Sequence, residues 1–380
     1  MNGAGDASRE GDVGGETVRS GDDHLTRNVF GTNFRNPVLL AAGTCGFGRE
    51  VHEVVDLERL GGLVTKSVTL EPRWGNPPPR VTEFGAGMLN SVGLTNPGAE
   101  AVRDRELPWL RDHLRRTRIL VSVAGHTPGE YVRIVELLDD SEGFLGYEIN
   151  LSCPNDTRLE DVPFALDPDA VRDVLGRVRE RTQRPVVAKL APNDPRLPDT
   201  VRVAEDAGVD GITLVNTLPG LALDPETGRP RLGAGPGGVS GPALRPVGVR
   251  AVAEAVAVTS LPVLGVGGVA SAADALEYLR AGATLVQVGT ASFADPRVGL
   301  RIAEELEKRA RRMGGLPSPE SARTGIGTES GSPADPRGEA AATEDVRGRG
   351  DVRRREKDRA GRDRPTSEPP VSSVAGSGKE

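Results

Sequence analysis

Cysteine and long apolar runs are scarce in this chain of 380 residues. Cys45 and Cys153 are its two cysteines, so a disulfide framework and a four-cysteine iron–sulfur site within the chain are excluded, and a reducing, cytoplasmic setting is expected. No apolar run approaches the roughly 20 residues that a membrane-spanning helix needs, and residues 1–23 lack the apolar centre of a signal peptide. The sequence therefore predicts no membrane partner.

Aromatic residues are also few, at 3% of the chain, and the net charge is -7. A nucleic-acid partner would call for a basic face and stacking aromatic side chains. We therefore expect no nucleic acid and favour small-molecule chemistry, which the hydrophobic content of 37% can support with a substantial core.

The composition predicts one folded domain between two tails. Residues 1–23 and 316–380 are dominated by small, polar and charged residues, which bury too little apolar surface to offset the entropy of ordering. Arginines cluster at 353–355, but acidic residues surround them, which is typical of a solvated tail. We predict disordered tails at 1–23 and 316–380 around a domain at 24–315.

Short aliphatic runs alternate with helix-patterned segments such as Asp167–Arg181 and Ser271–Ala281. Near-continuous apolar strands separated by amphipathic helices indicate a parallel sheet covered by helices. Eight such units predict an α/β fold of the closed (β/α)₈ TIM-barrel type. A Rossmann-like open sheet is the alternative, although no G-x-G-x-x-G motif follows the first run. The predicted strands are Val38–Gly43, Gly62–Val68, Ile119–Gly125, Tyr147–Ser152, Val186–Leu190, Gly211–Thr217, Val263–Gly268 and Thr284–Thr290.

Two further segments, Leu25–Asn36 and Leu221–Leu232, are predicted to form short extra hairpins. The second follows the sixth predicted strand, so it should lie at the carboxyl end of the barrel and help to roof the site.

Polar residues and glycines close most of the predicted strands, where a barrel of this kind builds its active site. The strand ends carry Thr65-Lys66-Ser67, Asn150-Leu151-Ser152-Cys153, Lys189, Asn216-Thr217, Gly267-Gly268 and Gly289-Thr290. Glycines after the last two strands let backbone N–H groups approach an anion, and a helix beginning near Ser271 would point its positive end at the same place. We interpret this as a cofactor phosphate site, with a plain tight turn as the alternative.

Lys66 and Lys189 each end an apolar strand, where an unpaired ammonium is costly to desolvate. They either pair with acids or face an anionic ligand. The amides of Asn90, Asn150 and Asn216 supply uncharged donors and acceptors suited to a polar heterocycle.

Cys153 follows its strand on a polar loop, which favours a chemical role over core packing. A thiol can act as a general base where its surroundings favour the thiolate. Cys45 lies in the glycine-rich stretch 43–48, and we interpret it as structural. No histidine joins a strand-end cluster, and no metal site is expected.

From about Leu25 to Arg311 the chain resembles class 1 dihydroorotate dehydrogenase, specifically the catalytic subunit of subclass 1B. The motifs that carry the resemblance are Gly46–Glu50, Thr65–Ser67, Pro72–Pro77, Pro79–Val81, Met88–Leu94, Asn96–Gly98, Asn150–Asn155, Val215–Thr217 and Gly238–Pro242, with the two glycine turns.

The resemblance implies FMN-dependent oxidation of (S)-dihydroorotate to orotate in pyrimidine biosynthesis. Cys153 would remove the C5 proton while hydride passes from C6 to flavin N5. Substrate would contact Lys66, Asn90, Ser91, Val92, Gly93, Leu94, Asn150, Asn216 and Thr217. FMN would contact Lys66, Ser67, Asn150, Lys189, Val215, Gly241, Gly267, Gly268, Gly289 and Thr290.

The resemblance also implies a partner. Subclass 1B enzymes are heterotetramers built on a homodimer of catalytic subunits, in which a second subunit with FAD and a 2Fe–2S cluster passes electrons to NAD⁺. The alternatives are a fumarate-reducing subclass 1A enzyme and an FMN-dependent tRNA dihydrouridine synthase. Three departures from the family pattern are Ser122 in place of Asn, Ala42 in place of Ser, and the altered loop at 156–163.

Overall fold

The computed structural model describes residues 24–151 and 163–325. The predicted tail at 1–23, most of the one at 316–380, Cys153 and most of the 156–163 loop lie outside these residues. The strands, in chain order, are β1 (Arg27–Val29), β2 (Thr32–Phe34), β3 (Val38–Leu40), β4 (Gly62–Val64), β5 (Val81–Phe84), β6 (Gly87–Asn90), β7 (Arg118–Val123), β8 (Gly146–Asn150), β9 (Val186–Lys189), β10 (Gly211–Leu214), β11 (Leu218–Gly220), β12 (Gly237–Ser240), β13 (Val263–Val266) and β14 (Leu285–Val288).

Helices lie between most of these strands, with short 3₁₀ turns at Leu57–Arg59, Phe164–Leu166 and Pro242–Leu244 and a π-helical turn at Val102–Glu106. The α-helices are α1 (Ala99–Ala101), α2 (Leu107–His113), α3 (Pro128–Leu138), α4 (Pro168–Arg179), α5 (Leu197–Asp206), α6 (Arg245–Val256), α7 (Ala272–Arg280), α8 (Ala291–Ala294), α9 (Val298–Met313) and α10 (Pro319–Gly325). Side-chain caps explain where three of them begin, because Thr127, Asp167 and Ser271 accept hydrogen bonds from the first backbone amides of α3, α4 and α7.

Eight parallel strands close into a barrel in the order β3-β4-β7-β8-β9-β10-β13-β14, and β14 pairs with β3 to complete the ring. Each predicted apolar run contributes one strand, so the (β/α)₈ prediction is confirmed and the open Rossmann-like sheet is excluded. Most strands are shorter than the predicted runs because their hydrogen-bonded ladders end before the residues that close the runs. In β8 and β9 the ladder includes the closing polar residues, and Asn150 pairs with Lys189.

The barrel is packed on both sides of its wall. The large core between strands and helices includes Leu40, Val121 and Ile149, all nearly inaccessible to solvent. A second apolar cluster joins residues of six barrel strands to Val29 and Phe34 of the β1–β2 hairpin. This hairpin confirms the prediction for Leu25–Asn36, and it packs near the amino ends of the strands.

A four-stranded antiparallel sheet, in the order β11-β12-β6-β5, is built from the segments that follow β4 and β10. The predicted hairpin at Leu221–Leu232 is only partly present, since this segment holds the isolated bridge between Leu223 and Pro230. The longer pairing is made by β11 and β12 on either side of it. Their sequences, Leu-Pro-Gly and Gly-Gly-Val-Ser, carry little strand signal, and β5–β6 was likewise not expected.

At the carboxyl-terminal side, α10 lies within the stretch that composition assigns to a tail. Its Ala322 is buried, and Arg323 donates to the carbonyl oxygen of Thr259 at 3.2 Å. Within residues 24–151 and 163–325, no helix is both long and apolar enough to cross a membrane.

Candidate active site

A cleft with an empty volume of about 1050 Å³, partly open to solvent, lies where the barrel strands end. Most residues predicted for the site meet there, although they come from widely separated parts of the chain. Those that line it are Lys66, Ser67, Asn90, Val92, Gly93, Leu94, Asn150, Lys189, Val215, Asn216, Thr217, Gly267, Gly268, Gly289 and Thr290.

Three predicted residues are not in this lining. Ser91 is buried, and its hydroxyl accepts a hydrogen bond of 2.8 Å from the Asn76 amide. Gly241 lies beside the cleft, with its carbonyl oxygen close to Gly268. Cys153 lies outside the described residues, so its role as base stays a prediction.

Sequence reasoning missed several lining residues because they are small or apolar and carry little chemical signal. They come from the loop after β3, from the four-stranded sheet β11-β12-β6-β5, which forms the roof of the cleft, and from other segments: Ala41, Gly43, Thr44, Val81, Met88, Ser240, Leu244, Val266 and Phe293. Ala42, named above as a departure from the family pattern, also lines the cleft.

The turn after β13 has a backbone that favours glycine. Gly267 and Gly268 have φ values of 122° and 68°, a region that L side chains rarely adopt. A Cβ at Gly268 would lie 2.7 Å from the carbonyl oxygen of Gly241. The turn therefore brings bare backbone to the cleft and packs closely against the segment that precedes α6.

An amide and hydroxyl network fixes the floor of the cleft. Asn150 donates to the Ser67 hydroxyl at 3.4 Å and accepts from the Asn216 amide at 3.1 Å. The Ser67 and Ser122 hydroxyls lie 2.8 Å apart, and Ser122 is fully buried. Ser122 is thus used in orienting Ser67, and the Asn150 side chain is held by neighbours on two other strand ends.

Lys189 both lines the cleft and pairs with an acid. Its ammonium lies 3.3 Å from a carboxylate oxygen of Glu148, whose side chain is fully buried. Glu148 also accepts from Thr213 at 3.0 Å and from Gln287 at 2.8 Å. Lys189 therefore pairs with an acid while it lines the cleft, so the ion pair does not prevent it from facing an anionic ligand.

Lys66 lines the cleft just after β4, next to the loop that follows β3. A Cβ placed on Gly43 would be 3.7 Å from the Lys66 ammonium, so the loop backbone passes close to this cation. The Lys66 amide donates to the carbonyl oxygen of Gly46 at 2.7 Å. The glycine-rich stretch 43–48 therefore helps to fix the segment that carries Lys66.

Cys45 is buried, and its thiol lies 3.8 Å from the carbonyl oxygen of Val64. Burial, with the nearby Glu50 carboxylate, raises the pKa of this thiol to about 12. Cys45 is therefore protonated at neutral pH, as expected of a structural cysteine. Among the residues that the structure describes, no cluster of His, Cys, Asp and Glu could hold a metal ion.

A closed parallel barrel with a polar cleft and glycine turns at its strand ends defines the class of (β/α)₈-barrel enzymes. The sequence profile described as dihydroorotate dehydrogenase matches residues 24–310. The chain therefore belongs to the dihydroorotate dehydrogenase family, whose members are flavin-dependent oxidoreductases. This membership sets aside the tRNA dihydrouridine synthase alternative.

Two kinds of relative are similar to this chain. A protein of Solibacter usitatus, provisionally named dihydroorotate dehydrogenase A (fumarate), is 46% identical over 76% of this chain and 94% of its own length. The "dihydroorotate dehydrogenase B (NAD(+)), catalytic subunit" of Thermodesulfovibrio yellowstonii is 43% identical over 75% of this chain and 93% of its own length. The protein of that name from Bacillus pumilus is 44% identical over 74% of this chain and 90% of its own length.

Among solved structures, dihydroorotate dehydrogenase of Eimeria tenella in complex with ferulenol aligns with a TM-score of 0.68. The alignment covers 82% of this chain and 91% of that chain at 22% sequence identity. This likeness supports the barrel fold.

Proposed function

We propose that this chain oxidises (S)-dihydroorotate to orotate with FMN bound in the cleft, as the catalytic subunit of a subclass 1B enzyme. The observation that carries the proposal is the convergence of Lys66, Asn150 and Asn216 with the Gly267–Gly268 turn on one cleft. Cations, amides and bare backbone together suit a phosphorylated cofactor and a small anionic heterocycle.

The residues present fit FMN. The turn at Gly267–Gly268 carries no side chain, and it lines the same cleft as the Gly289–Thr290 turn, so backbone groups of both turns border the cleft. Backbone N–H groups at such turns bind phosphate in many barrels of this fold. When bound, FMN supplies a hydride acceptor. The residues proposed to hold it are Lys66, Ser67, Asn150, Lys189, Val215, Gly241, Gly267, Gly268, Gly289 and Thr290.

Substrate would lie between the floor and the roof of the cleft. Asn150 and Asn216 offer amide groups from the floor, and β6 brings Asn90 from the roof, where its side chain donates to the Gly238 carbonyl oxygen at 3.3 Å. The Lys66 ammonium suits the substrate carboxylate. The proposed substrate contacts are Lys66, Asn90, Ser91, Val92, Gly93, Leu94, Asn150, Asn216 and Thr217.

Cys153 is the proposed base. It follows Asn150 by three residues, and β8 ends at the floor of the cleft. Its thiolate would take the proton from C5 of dihydroorotate, a carbon next to a carbonyl group. Donors on the floor would hold the charge that develops on that carbonyl oxygen.

The electron acceptor separates two candidate functions. The relatives named as B (NAD(+)) catalytic subunits support a heterotetramer, in which a partner subunit with FAD and a 2Fe–2S cluster receives the electrons and passes them to NAD⁺. This chain would form the homodimer core. The relative named A (fumarate) supports the second candidate, a chain that reduces fumarate without a partner.

The test is to purify the chain alone and together with an FAD- and iron–sulfur-containing subunit, and to supply dihydroorotate with NAD⁺, fumarate or an artificial dye. We expect the chain alone to bind FMN and reduce the dye, and NAD⁺ reduction to require the second subunit. Vigorous fumarate reduction by the chain alone would favour the second candidate. A chain that binds no FMN or oxidises no dihydroorotate would refute both.

A further inference from the structure

Glu148 is a fully buried carboxylate directly beneath the floor of the cleft. Side chains alternate along a strand, so Glu148 and Asn150 of β8 point to the same side, and Asn150 lines the cleft. Glu148 therefore occupies the interior of the barrel one step below a proposed flavin and substrate contact.

Three side chains from three other barrel strands converge on this carboxylate. The Lys189 ammonium lies 3.3 Å from Oε1, while the Thr213 hydroxyl and the Gln287 amide donate to Oε2 at 3.0 Å and 2.8 Å. All three groups act as donors, which is what an ionised carboxylate requires because it can only accept. Glu148 is thus the centre of a buried network that joins β8, β9, β10 and β14.

Stability alone does not account for such a network. A buried ion pair commonly contributes little net free energy of folding, because desolvation of both charges offsets their attraction. The interior of a (β/α)₈ barrel is normally filled with branched apolar side chains. The feature that distinguishes this network is its cation, since Lys189 also faces the cleft.

The charge of Lys189 would act on a reduced flavin. A cation next to the flavin stabilises the negative charge that reduction creates, and this raises the reduction potential. A carboxylate 3.3 Å from that cation offsets part of its field and also restricts where the ammonium can lie.

We propose that Glu148 is a positioning residue that acts through Lys189 and lowers the reduction potential of the bound flavin. The inference rests on the proposed function, in that FMN must occupy the cleft next to Lys189. It assigns a role to a side chain that does not itself line the cleft.

The test is the midpoint potential of bound FMN in Glu148→Gln, Lys189→Met and the double variant, measured by dye-coupled reductive titration. Glu148→Gln should change the two-electron equilibrium at least tenfold in favour of reduced flavin. This corresponds to a positive shift of the midpoint potential by about 30 mV or more. Lys189→Met should shift the potential negatively. In the Lys189→Met background, Glu148→Gln should change the equilibrium less than about threefold, because the residue acts through the lysine.

Asp139→Asn is the matched control. Asp139 accepts hydrogen bonds from Tyr147 and Thr182 and pairs with Arg184, but it lies outside the cleft lining. This change should lower thermal stability and leave the flavin potential unaltered. Glu148→Asp keeps the negative charge, so the equilibrium constant for two-electron reduction of its FMN should stay within about threefold of that of the unmodified chain.

An unchanged or negative shift in Glu148→Gln would overturn the inference, and so would a shift of equal size in the Lys189→Met background. If Glu148→Gln fails to hold FMN, Glu148→Met removes the same charge and should give the same positive shift. Loss of FMN from both, with Asp139→Asn still loaded, would reduce Glu148 to a structural role. Failure of the unmodified chain to bind FMN would instead refute the proposed function.

Discussion

The phenolic hydroxyl of Tyr278 lies 2.7 Å from the carbonyl oxygen of Gly267 and donates a hydrogen bond to it. The same hydroxyl lies 3.1 Å from the carbonyl oxygen of Val266, and the ring is fully buried in α7. A Cβ at Gly265 would lie 2.4 Å from this ring. Gly265 is therefore needed to make room for the Tyr278 ring. The hydroxyl of that ring supports the Gly267–Gly268 turn, which lines the cleft.

Tyr278→Phe should weaken FMN binding about 5-fold, the equivalent of one lost neutral hydrogen bond of roughly 1 kcal/mol, because the two carbonyl groups share the single proton of the hydroxyl. The ring would still fill its space, but the two carbonyl groups would lose a buried donor and the turn would be less well held. The measurement is the dissociation constant of FMN by fluorescence titration of the deflavinated chain.

Tyr147→Phe is the control for this change. Tyr147 is also fully buried, and its hydroxyl donates to Asp139 at 3.1 Å, away from the cleft lining. Both variants should lose stability by about 1 kcal/mol, but only Tyr278→Phe should lose affinity for FMN. Equal affinities in the two variants would show that the turn does not depend on Tyr278.

Gly268→Ala should abolish detectable FMN binding. The new methyl group would be placed 2.7 Å from the Gly241 carbonyl oxygen and 2.8 Å from the Arg245 Cβ, at a backbone φ of 68°. Either the turn or the neighbouring segment must shift, which moves the proposed phosphate donors. Gly314→Ala is the control, since it has a φ of 76° but no atom within 4 Å of the added Cβ.

Gly314→Ala carries the strain of a left-handed residue, roughly 1 kcal/mol, and should keep its FMN. If Gly268→Ala binds FMN as tightly as Gly314→Ala, the close approach at Gly268 has no part in cofactor binding.

The barrel could be predicted because its strands are buried on both faces. Runs such as Val38–Gly43 then read as continuous apolar stretches, and the polar residues and glycines that close the runs mark the carboxyl ends where a site forms. That relation also located ten of the residues that line the cleft without knowledge of how the strands are ordered in space. Val92, Gly93, Leu94 and Val215 were expected only from the resemblance to the family.

The roof and the buried network could not be predicted in the same way. The pairing of β12 with β6 joins Gly238 to Asn90 across almost 150 positions, and neither strand has the alternation that marks a half-buried strand. Glu148 stood beside the predicted site residues, but its contact with Gln287 spans 139 positions and depends on barrel closure. Such contacts depend on which distant strands pair and in what register, and the local sequence pattern does not contain that information.

A chain that ends after residue 325 should keep the melting temperature and turnover of the full chain, whereas one that ends after residue 315 should melt several degrees lower. The shorter chain loses buried Ala322, the bond from Arg323 to the Thr259 carbonyl and the bond from Arg27 to the Pro317 carbonyl. These losses amount to about 1–3 kcal/mol, or roughly 2–8 °C in a domain of this size.

Differential scanning calorimetry of the two truncations measures the effect, and FMN content provides the check on the barrel. Equal melting temperatures would mean that α10 adds nothing to the fold. A loss of FMN on removal of residues 326–380 alone would show that those residues contribute to the site.

Cys153→Ala should keep its yellow FMN and lose turnover about 10²- to 10⁴-fold, the usual contribution of a general base. Cys153→Ser should keep a small fraction that rises with pH, because a hydroxyl is a much weaker base than a thiolate at neutral pH. Cys45→Ala is the matched control, since the chain contains one other cysteine and it is buried outside the cleft lining.

Chemical modification separates the two thiols without any substitution. Burial raises the pKa of the Cys45 thiol to about 12, so this thiol is protonated at pH 8. Because it is also enclosed by the protein, it should resist iodoacetamide in the folded chain. Cys153 should react, and turnover should fall in proportion to the label found at that position by mass spectrometry. Protection by orotate would place the reactive thiol at the substrate site. If Cys153→Ala oxidises dihydroorotate at a rate near that of the unmodified chain, or if labelling of Cys153 leaves turnover intact, another residue must remove the C5 proton.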